Sequence, residues 1–145
     1  MGLLKKMTNE VAPQKGPSDD ALILHGMLCV AGADGAFDDA EIELVQGYFA
    51  TLPEFEGKDW EEVYNGAKKV LSKYNSVFES VKALADLSTQ ALKNKMFVLA
   101  VDIALSSGDV DEAEDEMLEA MQRVLSIPDE LAAKIIEVMA IKYAQ

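Results

Sequence analysis

Apolar residues recur at spacings of three and four from residue 18 to the end of the chain, the period of helices that bury one face. A first helix, capped by Ser18, is predicted over 19–33, with Leu22, Ile23, Met27, Leu28 and Val30 inward. A second opens at Asp38, buries Ile42, Leu44, Val45, Tyr48 and Phe49, and ends at Pro53. A third spans 58–73 with Trp60, Val63, Tyr64, Ala67, Val70 and Leu71, and Asn75-Ser76 starts a fourth with Val77, Val81, Leu84 and Ala85. Ser88 is expected to cap a fifth helix reaching Ser106, whose run Met96-Phe97-Val98-Leu99-Ala100-Val101 is apolar on every side. A helix of that kind belongs in the middle of a bundle. Asp111 opens a sixth, and Pro128 starts a seventh that runs to the C-terminus. No alternating strand pattern competes, so the class is all-α, a compact bundle of about seven helices.

The pattern repeats. A shift of 73 places Asp34-Gly35-Ala36-Phe37-Asp38-Asp39-Ala40-Glu41 on Ser107-Gly108-Asp109-Val110-Asp111-Glu112-Ala113-Glu114. The glycine, the apolar residue two later, the Asp three later, an alanine and the last glutamate coincide. An apolar helix precedes each turn, an amphipathic helix follows, and Leu52-Pro53 or Ile127-Pro128 closes each unit. Duplication and a pseudo-twofold bundle are the expectation.

Each motif is a helix start in its own right. Asp38 and Asp111 suit N-caps, Glu41 and Glu114 would complete capping boxes, and the glycines supply positive φ in the turns. As EF-hand loops the motifs fail, because positions one and three would be Val30 and Gly32, or Ile103 and Leu105, which have no side-chain oxygen. Missing ligands would have to come from elsewhere, and Asp102 is the candidate. It is the only charge between Met96 and Leu105, and a carboxylate in such a helix needs a counter-charge, a hydrogen bond, a proton or a metal. Ser106 one turn on, a lysine such as Lys68 or Lys69, and a cation are the three alternatives. Residues 102–119 add density, with Asp102, Asp109, Asp111, Glu112, Glu114, Asp115, Glu116 and Glu119 and no base. Oxygen ligands of this kind suit a hard divalent ion, Ca²⁺ or Mg²⁺. Zinc is poorly served, since His25 and Cys29 are the sole nitrogen and sulfur candidates.

Charge narrows the partners. The chain carries −13, and because Lys5, Lys6 and Lys15 outweigh Glu10 in the first 17 residues, the remainder carries −15. Such a field repels nucleic-acid phosphate and anionic lipid and attracts cations or a basic protein. Residues 1–17, with Pro13 and Pro17, read as a mobile arm before a helical domain over 18–145. The lone Cys29 reads as a buried thiol in a reducing compartment, and no run is apolar enough to span a membrane or serve as a signal peptide, so a cytoplasmic protein is expected. One His, one Cys and no Gly-rich phosphate loop give no nucleophile–base set, so no enzymatic activity is expected.

The segments Leu24-His25-Gly26-Met27-Leu28-Cys29-Val30-Ala31-Gly32-Ala33-Asp34-Gly35 with Asp38-Asp39-Ala40-Glu41, and Asp102-Ile103-Ala104-Leu105-Ser106-Ser107-Gly108-Asp109-Val110-Asp111-Glu112-Ala113-Glu114, resemble the two motifs of the TerB-like tellurite-resistance family. The resemblance covers about residues 18 to 143 and leaves out the basic arm. It implies a bundle of about seven helices with internal symmetry, in a bacterial cytoplasmic protein of stress-response assemblies, whose acidic motif residues bind divalent cations. By position those acids are Asp34, Asp38 and Glu41 in the first motif, and Asp102, Asp109, Asp111 and Glu114 in the second. Where the second motif of the family reads Asp-Gly, this chain has Ser107-Gly108, and the acid falls one place later at Asp109.

Overall fold

A computed structural model describes residues 16–145 of the chain. The arm expected over 1–17 therefore lies, for residues 1–15, outside the described residues. Those described form seven α-helices: α1 (Asp19–Ala31), α2 (Asp39–Thr51), α3 (Trp60–Ser72), α4 (Val77–Ser80), α5 (Gln90–Ser106), α6 (Glu112–Val124) and α7 (Asp129–Lys142). Two 3-10 segments, Pro53–Phe55 and Val81–Asp86, link them, and there is no strand among the described residues.

Side-chain capping fixes most of the starts. Asp38, Asp59, Ser76, Thr89 and Asp111 each accept a backbone N–H of the helix they precede. Three expectations are corrected here. Thr89, not Ser88, caps α5, because the Ser88 hydroxyl and N–H both donate to the Asp19 carboxylate, at 2.6 and 3.0 Å. Ser18 stands at the N-cap of α1 without capping it, since its hydroxyl donates to Asp20. The first helix also stops at Ala31, where the turn begins, rather than at residue 33.

Two helices make the centre. In α1 the run from Ala21 to Met27 is buried throughout, and in α5 so are Met96, Phe97 and every residue from Leu99 to Ala104. α3 and α6 pack on α1, while α2, α6 and α7 pack on α5. Gly26 lets α5 approach, for a Cβ there would meet the Met96 sulfur at 2.5 Å. None of the described helices is long and apolar enough to cross a membrane.

The duplication is borne out in the backbone. The bounds of α2 and α6 coincide under the shift of 73, as do their caps Asp38 and Asp111. Gly35 and Gly108 hold φ of 88° and 85°, where a side chain would be strained. The pseudo-twofold thus brings the two acidic turns together at one end of the central pair.

Candidate metal centre

The two turns enclose a cavity of about 230 Å³ lined by Asp34, Ala36, Asp38 and Glu41 from one half and Ser107, Asp109, Asp111 and Glu114 from the other. Six of the seven acids expected to bind a cation are therefore gathered there, each half supplying three. Asp34, Asp38 and Asp109 are exposed at the rim and Asp111 is half-buried. Glu41 and Glu114 form the floor, at 3% and 4% exposure.

Local structure aims these groups. The Asp34 carboxylate accepts the Ala36 N–H at 3.0 Å, which folds the first turn and draws the Asp34 pKa below the ordinary carboxylate range, with the Asp111 carboxyl also in hydrogen-bonding reach. Asp38 accepts the N–H groups of Ala40 and Glu41, at 2.9 and 3.4 Å. Asp111 accepts the Glu114 N–H at 2.8 Å, and the Glu114 carboxylate accepts the Asp111 N–H in return, closing a capping box. The first motif was expected to close one as well and does not. The Glu41 carboxyl is turned across the interface to Glu114 and the Ser107 hydroxyl.

This arrangement is electrostatically unfinished. Burial, the facing Glu114 carboxyl and its charge push the Glu41 pKa from an ordinary 4.5 to about 8, with Asp38 adding to the rise and Ser107 opposing it. Burial raises Glu114 as well, against the hydrogen bonds from Glu41 and the Asp111 N–H. Two buried carboxyls face to face resist ionising together, so the pair retains a proton that water alone would have taken. With both ionised, Glu114 Oε2 is buried without any hydrogen-bond partner among the described residues. A proton on Glu41, or a cation, would supply what it lacks.

Asp102 is elsewhere. It lines no part of this cavity, and its 2%-exposed carboxylate accepts from Lys142 Nζ at 2.9 and 2.8 Å and from the Tyr48 and Tyr143 hydroxyls. Burial would raise its pKa, but these donors and the Lys142 charge outweigh it and hold the group below the usual range. Of the three alternatives weighed for Asp102, a lysine prevails, from α7 rather than Lys68 or Lys69, and the Ser106 hydroxyl donates instead to the Ile103 carbonyl at 2.7 Å. With its oxygens committed to three donors, Asp102 is withdrawn from the ligand set.

Sequence reasoning missed Ser107 as a cavity wall and Tyr48 and Tyr143 as donors. The shift of 73 does carry a signal for Ser107, since it puts that residue on Asp34. The donor chemistry fits a hard ion: every acid in the cavity offers only oxygen, and one buried oxygen is orphaned. The spacing is looser than coordination requires, for among the described residues no three His, Cys, Asp or Glu side chains stand close enough to hold an ion. The rim carboxylates would have to swing inward.

No curated protein and no solved structure matches the chain. A family model described as tellurite resistance protein TerB does, over residues 6–136 of the 145. The match begins within the segment that the motif resemblance left out and stops before the last turns of α7. The chain, matched over nearly its whole length, belongs to the tellurite resistance protein TerB family.

Proposed function

We propose that this TerB-family domain is a non-enzymatic cytoplasmic module of tellurite or general stress resistance that binds a divalent cation, Ca²⁺ or Mg²⁺, between its two halves. Glu41 and Glu114 would hold the ion from below, and Asp34, Asp38, Asp109 and Asp111 would close on it from the rim. The observation carrying this reading is the buried Glu114 oxygen without a donor, opposite a second buried carboxyl, at the floor of a cavity to which both halves contribute acids. The ion would supply positive charge where the protein has only carboxyls, and would tie one half to the other.

A ligand that binds the folded state alone stabilises it, by about 2.7 kcal/mol at a hundredfold excess over Kd. Thermal melts in EDTA, Ca²⁺, Mg²⁺ or Mn²⁺ at fixed moderate salt should show a higher Tm with at least one ion, and Glu114→Gln should lose the increment. Equal melting points in every condition would sink the proposal.

A second reading has its own observation. Asp109, Glu112, Asp115, Glu116 and Glu119 are all exposed, so a basic protein could dock on this face with the turns purely structural. Capture of such a partner from lysate would then weaken steeply with salt and ignore EDTA.

A further inference from the structure

A second cavity, of about 370 Å³, opens on the other side of the first acidic turn, between α1 and α3. Its walls are Leu28, Ala67, Leu71 and Val77, its floor is His25 and Cys29, and Phe37 and Tyr64 stand at its mouth. The volume lies within the range of small-molecule sites, roughly 300–1,000 Å³, and the lining is of their kind, apolar with few polar groups. The mouth is apolar where solvent reaches it, with Phe37 57% and Tyr64 36% exposed. Gly32 leaves room for Phe37 to lie against the turn, because a Cβ there would touch the ring at 3.0 Å.

The floor offers a ligand little polar chemistry. His25 Nε2 lies 3.1 Å from the Ser80 carbonyl and Cys29 Sγ lies 3.4 Å from that ring nitrogen, so these groups face one another. At the mouth, Lys68 Nζ sits 5.3 Å above the Tyr64 ring and forms no ion pair among the described residues. Lys68 is the one charged side chain among the residues that line this cavity.

The repeat gives the cavity a counterpart. Under the shift of 73, Cys29 falls on Asp102, and both are 2% exposed. In the second half the helix packed against α5 carries Lys142, which meets the Asp102 carboxylate. In the first half the helix packed against α1 carries Lys69 at the position of Lys142, where it is exposed, with Lys68 beside it at the cleft, and a neutral thiol stands where the carboxylate would be. One half encloses its own anion; the other leaves an apolar space and an unmatched ammonium.

We propose that the α1–α3 cleft binds a small amphipathic anion, its apolar body against Leu28, Leu71, Val77 and Phe37 and its carboxylate or similar head on Lys68. The site is separate from the acidic cavity and needs no metal.

Decanoate is a suitable probe, used with the full chain in EDTA. The chain has one histidine and it lines the cleft, so its imidazole NMR signals report on this site alone. Decanoate is expected to shift them saturably with one-to-one stoichiometry below about 1 mM, while decylamine does not. Lys68→Glu, a surface change, should weaken decanoate binding about tenfold, and Ala67→Leu, checked for folding by its melt, should abolish it. Absence of a saturable shift with wild type would overturn the proposal, as would equal affinity for decylamine or decanoate binding that Lys68→Glu leaves intact.

Discussion

Asp102 and the Glu41–Glu114 pair are buried to nearly the same degree, yet they have opposite electrostatic fates. Asp102 receives an ammonium and two phenolic hydroxyls, and its pKa falls. Glu41 and Glu114 receive each other, and the Glu41 pKa climbs to about 8. The difference is one of donors rather than of depth. A buried acid with enough donors is a structural joint, whereas one that faces another acid is held only by a proton or by something brought from outside.

The largest effect should come from breaking the completed site. Lys142→Met leaves a buried carboxylate with two hydroxyl donors, and because Lys142 is itself half-exposed the cost should be nearer 2 than the upper bound of about 5 kcal/mol. Urea unfolding measures it, and Asp102→Asn in the same chain should recover part of the loss. An unchanged midpoint for Lys142→Met would erase the contrast between the two sites.

Next in size is the reverse sign. In EDTA, Glu41→Gln should stabilise the protein by about 1–2 kcal/mol at pH 8, since a buried charge facing another is removed. Between pH 4.5 and about 8 the folded wild type holds a proton that the unfolded chain has lost, so its stability should fall as pH rises through that window, by at most about 1.4 kcal/mol per unit. Glu41→Gln should flatten that slope. Asp102 works in the opposite sense: its contribution is present above the unfolded carboxylate pKa and disappears as pH falls through the lower folded value. Wild-type melts that rise with pH across the upper window would contradict the Glu41 assignment.

The smallest effect compares the turns. Asp38→Ala and Asp111→Ala should each cost about 1 kcal/mol of capping, with Asp111→Ala the larger because it also breaks a reciprocal box. Equal losses in urea melts would mean that the box adds nothing.

Much of the fold was legible locally. Cap residues, turn glycines and apolar spacing located seven helices, and the shift of 73 revealed the pseudo-twofold, because each signal lies within a few residues of the element it starts. Thr89 displaced Ser88 because Asp19, distant in sequence, claimed the serine. The cavity was half legible: the repeat named six acids that do converge, but not that Glu41 would forgo its own cap to face Glu114. Asp102 was recognised as needing a partner, and the partner was misassigned because no periodicity says which helix end arrives 40 residues later. The α1–α3 cleft was not foreseen at all, since Phe37, in the first acidic turn, and the Tyr64–Lys68 pair on α3 belong to separate segments that only packing joins.

The family match stops at residue 136, yet two of the three groups that quiet Asp102 are Lys142 and Tyr143. Pruning the chain to its matched length would strand a negative charge in the central helix and strip the far end of α7 from its mooring. Contacts that hold the central helix therefore reach about two helical turns past the matched segment, and experiments on excised fragments should retain Tyr143.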